Sequence, residues 1–410
     1  QQGLVRKRVM DILIAALQSG AASLASYLAA HVLLCLVPAF FIAGALSALV
    51  PQASITRFLG PEAPKWVAYP AAAGAGSLLA VCSCTVQPLF AGIYKKGAGL
   101  GPAITFLFFA PAANILALSY TGVALGADIA IARIVLALSF GIGIGMIMAI
   151  LFRRSEAARQ GDARAFVGDS RVPPKTLLFV ATLVALLIAG TLKVDLLTAP
   201  LWQHTFAAPD AAAVQASLDR WVPANEAVGA EALSVQGVLL IALLFSIGAA
   251  GWRGLGQVDA RVGGLTWLAL TLTVLTLVFA AFGLRVSDGG LTLTITGRTL
   301  AVPLLCLALL PQARRFDAWD MQQWLWETWR FVKMIFPLLV VGVFLVGVIR
   351  IFIQPSWIQM LAGSNTVLAN LAGVVAGLLV PHLFSPDDAP MGFTLAFTAI
   401  ALLTGALGGL

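Results

Sequence analysis

The sequence predicts an all-α, polytopic membrane protein with about 10–11 transmembrane helices, some broken at proline, built as two structural repeats. Three observations predict it. The 410 residues are 60% hydrophobic and only 10% charged, against roughly 25% charged in a soluble globular chain. Apolar runs of about 20 residues recur along the chain, the length a helix needs to cross a bilayer. The runs are continuous rather than alternating, which favours helices over a barrel.

The elements follow in order. Residues 1–24 form a cytoplasmic or interfacial lead-in helix, basic at its start and too long and amphipathic for a cleavable signal peptide. The first span covers about 25–50 and stops at Pro51. The second, about 67–93, carries Cys82-Ser83-Cys84 and Pro88; Lys95-Lys96-Gly97-Ala98-Gly99 then makes a basic turn. The third, about 100–121, is broken at Pro111 and holds Asn114; the fourth, about 126–152, holds Arg133. These residues, 25–152, are the first repeat.

Residues 153–175 are a basic cytoplasmic loop with Arg153, Arg154, Arg159, Arg164, Arg171 and Lys175. Middle helices occupy 176–312, with spans near 176–193, 236–252, 264–285 and 293–312 and a polar outer loop at 194–234. The second repeat is 313–410: an aromatic, basic lead-in through Trp319, Trp324, Trp326 and Trp329, then spans near 332–353, 366–381 and 391–409. Lys and Arg collect in cytoplasmic loops, and that rule places the N-terminus inside. It also accounts for the net charge of +7 without nucleic acid.

The two repeats echo each other. Val37-Pro38 with Pro51 and Gly60 is matched by Phe336-Pro337 with Pro355 and Gly363, each after an amphipathic lead-in and before a Gly-rich helix. Transporter folds place the substrate between such halves.

The chemistry gathers in one segment. Cys82, Ser83, Cys84, Thr85, Gln87 and Pro88 lie at about mid-span depth, where polar groups cost free energy and mark substrate paths or helix contacts. Pro88 cannot donate to the carbonyl of Cys84, nor Pro111 to that of Leu107. Thiols are soft ligands. Two cysteines two residues apart point to opposite sides of a regular helix, so a paired thiol site needs unwound backbone or another partner. Gln87 and Asn114 can orient a polar solute or bond between helices. Arg133 can hold an anion, pair with Asp128, or reach the interface. Cys35 and Cys306 read as buried small residues, and four cysteines in apolar segments argue against a disulfide framework. Zinc-ligand spacing and nucleotide-binding loops are missing, so metal, cofactor and ATP-driven pumping are not expected. Asp387-Asp388-Ala389-Pro390 reads as a turn.

Val81-Cys82-Ser83-Cys84-Thr85-Val86-Gln87-Pro88-Leu89, then Lys95-Lys96-Gly97-Ala98-Gly99-Leu100-Gly101-Pro102, then Ala110-Pro111-Ala112-Ala113-Asn114, resembles the ArsP/YraQ-like predicted permeases of bacteria. The resemblance covers about 25–152 and 320–390; the middle region 194–312 and the close of the second half after Asp388-Ala389-Pro390 depart from the family pattern. It implies a multi-pass protein of the inner membrane that exports a small thiophilic solute such as a trivalent organoarsenical, with Cys82, Cys84, Gln87, Pro88, Pro111, Asn114 and Arg133 as the substrate-binding candidates. The expected partners are that solute and the bilayer, with a homo-oligomer left open. Two other readings stand beside it: a transporter or channel for a small inorganic or sulfur-containing anion, and an intramembrane dithiol redox protein.

Overall fold

The computed structural model describes residues 2–350 except 79–82, 115–117, 119–120, 123–125, 155, 157–171, 193, 208, 223–232, 255–262 and 288–289. Contacts divide the chain into two units, residues 1–16 with 348–410, and Leu17–Gly347. The first unit is described only as helix, at 2–16 and 348–350.

The second unit is helical apart from one small sheet. Helix α1 (Gln2–Tyr27) runs through a π-helical segment, Leu28–Leu36, into α2 (Val37–Ala48). Pro38 lies just after the π-helical segment passes into α2, and its missing amide hydrogen interrupts the backbone ladder there. Pro51 is extended and ends the run as expected. Helix α3 (Gln52–Leu59) leaves at 99° to the helix before it. Then come α4 (Lys65–Leu78), α5 (Ser83–Lys95), α6 (Leu100–Ala112), α7 (Ala127–Leu151) and α8 (Pro174–Thr191). The expected second span is described as helix at Lys65–Leu78 and Ser83–Lys95, and the helix of the third ends at Ala112.

The middle region holds α9 (Asp195–Thr198), β1 (Pro200–Phe206), α10 (Pro209–Trp221), α11 (Val235–Gly254), α12 (Gly264–Ala281), β2 (Gly283–Ser287), β3 (Gly290–Thr296) and α13 (Gly297–Ala313). The strands form an antiparallel sheet in the order β1-β3-β2, with Gln203 opposite Thr294 and Thr292 opposite Arg285. Residues 194–234 therefore contain a strand and two helices rather than loop alone. The expected span at 293–312 begins as strand: Thr292, Thr294 and Thr296 alternate along β3, a period of two that helices do not use.

The last described helix, α14 (Ala318–Arg350), joins the aromatic lead-in and the expected span at 332–353 in 33 residues. Among the described residues, α7, α8, α11, α12 and α14 are long and apolar enough to cross a membrane, and the bent pair across Pro51 makes six. The spans expected at 366–381 and 391–409 lie outside the described residues.

The core joins distant parts of the chain. Ile42 of α2, Leu89 of α5, Phe106 of α6, Phe179 of α8 and Trp324 of α14 share one buried cluster. Trp324 donates its indole N–H to the Phe41 carbonyl at 2.9 Å. Its ring packs edge-on to Phe179, centroids 5.0 Å apart. Each contact satisfies or buries an amphipathic ring that would otherwise keep one polar end in the core.

Candidate functional site

Helices α5 and α6 form an antiparallel hairpin of two 13-residue arms. At 1.5 Å per residue each arm is roughly 20 Å long, short of the roughly 30 Å hydrocarbon core. The turn between them needs glycine. Gly97 has φ +91°, and a Cβ there would lie 2.8 Å from the Thr56 methyl of α3. The Gly99 amide donates to the Leu59 carbonyl at 2.6 Å, which ties the turn to the end of α3.

The closed end carries the basic pair. Lys95 donates to Glu327 of α14, Nζ to Oε1 at 2.5 Å. Ser47, the penultimate residue of α2, donates its hydroxyl to the other carboxylate oxygen at 3.3 Å. Glu327 is 7% exposed, so both partners matter to its solvation. Burial lowers the Lys96 pKa; the neighbouring Lys95 charge adds to that, and Glu327 opposes it. The expected solvated basic turn is instead packed: Gly97, Ala98 and Gly99 are buried.

An antiparallel hairpin returns its chain ends to one side. The start of α5 and the end of α6 therefore share the end away from the Lys95–Gly99 turn. Cys84 is the second residue of α5; Cys82 lies outside the described residues. Pro88 lies inside α5, which stays helical through it instead of breaking there; Pro88 is buried, as are Val86 and Leu89 of the core, whereas Gln87 is exposed.

At the end of α6, Pro111 is in the last turn and Ala113 leaves the helix. Three donors meet the carbonyls released there. The Ala113 amide donates to Phe109 at 2.9 Å. The Asn114 side-chain amide donates to Ala110 at 3.0 Å. Arg133 of α7 donates from Nε to Ala112 at 2.7 Å and from Nη1 to the Thr121 hydroxyl at 2.8 Å. A cation on the last carbonyls of a helix complements its negative end. The structure thus brings Pro111, Asn114 and Arg133 together as a cap on the broken helix. Arg133 sits here on backbone oxygen and Thr121.

The arm α6 is held against α4 and α7 by small residues. Thr105 donates to Gly101 at 3.1 Å and to Gly141 of α7 at 3.0 Å. Such close approaches are the main source of helix packing energy in a bilayer.

Glu327 escapes the sequence reading. Its signal is a lone acid inside the aromatic run Trp324-Leu325-Trp326-Glu327-Thr328-Trp329, which reads as an interfacial belt until its partner is known. Of the other cysteines, Cys306 is buried in α13 and Cys35 is half-buried in the π-helical segment.

A family described as predicted permeases, ArsP_1, matches residues 18–404. The UPF0718 protein MJ0584 of Methanocaldococcus jannaschii is 30% identical over 358 residues, which cover 86% of this chain and 74% of that protein. No solved structure matches. With several apolar helices long enough to span a bilayer, the chain is a multi-pass membrane protein that belongs to the ArsP_1 family of predicted permeases.

Proposed function

We propose that this permease exports a small thiophilic solute, such as a trivalent organoarsenical, by a gated or alternating-access path between its two repeats. The observation that supports this reading is the α5–α6 hairpin. Cys84 is in α5 at the end away from the turn, the Pro111–Asn114 break follows α6, and the turn end is tied to α14 through Lys95 and Glu327. Short arms at membrane depth with freed backbone groups are how transporters meet their cargo.

In this reading Cys82 and Cys84 supply the soft sulfur ligands that trivalent arsenic bonds. Cys84 is in α5. Gln87 and Asn114 orient the solute, Pro88 and Pro111 withhold an amide hydrogen from the carbonyls of Cys84 and Leu107, and Arg133 holds the end of α6 in place. The protein has no catalytic role: the solute leaves unchanged, driven by the proton gradient or by its own gradient. It works in the bacterial inner membrane with its N-terminus in the cytoplasm.

Everted vesicles test it. Vesicles with the wild-type chain accumulate methylarsenite, and Cys82→Ser and Cys84→Ser at equal expression do not. Full uptake by both variants would remove the thiols from the mechanism. Lack of uptake by wild-type vesicles in which the protein is folded would remove the substrate class.

A further inference from the structure

A cavity of about 310 Å³ lies between α2, α11, α12 and α14, remote in sequence from the cysteine-bearing helix. Its walls include Phe40, Leu244, Ala269, Leu270, Leu325 and Val332. The hydroxyls in the wall are already used. Thr266 donates to Gly254 at 3.2 Å, Thr273 to Ala269 at 2.7 Å and Thr328 to Trp324 at 2.8 Å. The interior therefore presents apolar surface, which neither a hydrated ion nor a sugar fits.

The opening has a different character. Trp252, 70% exposed, and the exposed Lys333 lie at its edge. Arg253 follows Trp252 on α11, and Arg330 lies one turn before Lys333 on α14. Glu327, the acid nearest to them along α14, is engaged by Lys95. The cavity touches α11 from Leu244 to Trp252 and α12 from Thr266 to Thr273, from the middle of each helix toward the ends that the 255–263 connection joins. Lys333 is the charged residue of its wall.

We propose that this cavity is a binding site for an anionic membrane lipid, with an acyl chain inside and its phosphate-bearing headgroup against Lys333. The occupant comes from the bilayer because three of the four walls, α11, α12 and α14, are long and apolar enough to span it. Its charge follows from Lys333 in the wall, as anionic headgroups are drawn to Lys and Arg beside a membrane helix.

The full chain in nanodiscs of phosphatidylcholine and phosphatidylglycerol tests the site. The probe is phosphatidylglycerol with a photoreactive diazirine in its acyl chain. Label is expected on residues 244–252, 266–273 and 325–337 in excess of that on α7, whose outer face is also apolar and exposed. Gly248→Leu should abolish the excess at an unchanged unfolding temperature, because no atom lies within 4 Å of a Cβ built at Gly248. Thr273→Leu is the second filling variant should the first unfold. Lys333→Gln should lower the preference for phosphatidylglycerol over phosphatidylcholine about fivefold. Equal labelling of α7 and the cavity helices, or excess label that survives both filling variants, would overturn the proposal. Because the readout is binding, it is independent of whether any solute is transported.

Discussion

Lys95 and Glu327 are 232 residues apart in sequence and 2.5 Å apart in space, Nζ to Oε1. The pair ties the hairpin that carries Cys84 to the helix that opens the second repeat. Its two side chains are 40% and 10% exposed, so water screens one partner and hardly reaches the other. Removing one member of a fully buried pair costs about 3–5 kcal/mol. Here about 2 kcal/mol is expected for Lys95→Met or Glu327→Ala, since Lys95 is partly solvated. The reversed pair, Lys95→Glu with Glu327→Lys, should recover part of that loss. A double-mutant cycle by denaturant unfolding in detergent measures it. Additive single effects would mean that the two residues do not interact.

Lys96 makes a prediction with a definite sign. Its folded-state pKa is lowered, chiefly by burial and further by Lys95, whereas the unfolded value is the ordinary one near 10.4. Below the folded value both states are charged, and folding bears the full cost of burying the ammonium. As pH rises through the window between the two values, the folded state loses its proton first and the cost falls. Stability should therefore gain an alkaline increment in that window. Lys96→Met should raise stability at neutral pH and abolish the increment. Unfolding curves at stepped pH read both effects, and an unchanged alkaline slope in Lys96→Met counts against the assignment.

Arg133 and Asn114 support one helix end from two directions. Arg133→Ala should destabilise by about 1–2 kcal/mol, because a charged donor is lost from Ala112 and from Thr121. Arg133→Lys should recover part of this, since an ammonium can reach one acceptor without matching the two-sided guanidinium. Thr121→Val removes the second of the two Arg133 contacts and leaves the one to Ala112, and should cost about 0.6 kcal/mol or more. Unfolding in detergent ranks the three. An Arg133→Ala chain as stable as wild type would release the guanidinium from the capping role and return it to solute binding.

Much of the architecture was legible because it obeys local rules. The unbroken apolar run at Ala127–Leu151 predicts its own helix within a residue or two. Pro51 and Pro111 mark helix ends through the missing amide hydrogen and the ring clash. The strand β3 misled the reading: the short polar alternation Thr292, Thr294, Thr296 leads directly into the apolar helix α13, so hydropathy merged the two. The polar stretch at 194–234 hid a strand because β1 is stabilised by its pairing with β3, some 90 residues later in sequence. The site shows the same division. The hairpin was visible as two prolines and a Gly-rich turn. The role of Lys95 was not, because its partner is a carboxylate on another repeat, and no spacing rule connects them.

The final prediction concerns how tightly the arm α6 is held. Gly145 of α7 faces Thr105 and Gly101 of α6, and a Cβ built on it would collide with the Thr105 hydroxyl and the Gly101 carbonyl. The carbonyl is backbone and cannot rotate away. The Thr105 hydroxyl is held by Gly101 and Gly141 and would have to break those bonds to move. Gly145→Ala must therefore push α7 from α6, at a cost of about 1–3 kcal/mol for an overpacked core. The neighbouring Gly143 provides the control, since a Cβ there meets nothing within 4 Å; Gly143→Ala should be neutral or raise stability by up to about 1 kcal/mol through better helix propensity. The two helices carry opposite parts of the cap, Pro111 on α6 and Arg133 on α7. Displacement by Gly145→Ala should consequently lengthen the Arg133–Ala112 contact and expose a cysteine introduced at Ala112 to maleimide. Faster labelling in Gly145→Ala than in Gly143→Ala would show that this glycine contact keeps the end of the broken helix closed, and equal labelling would confine its effect to packing.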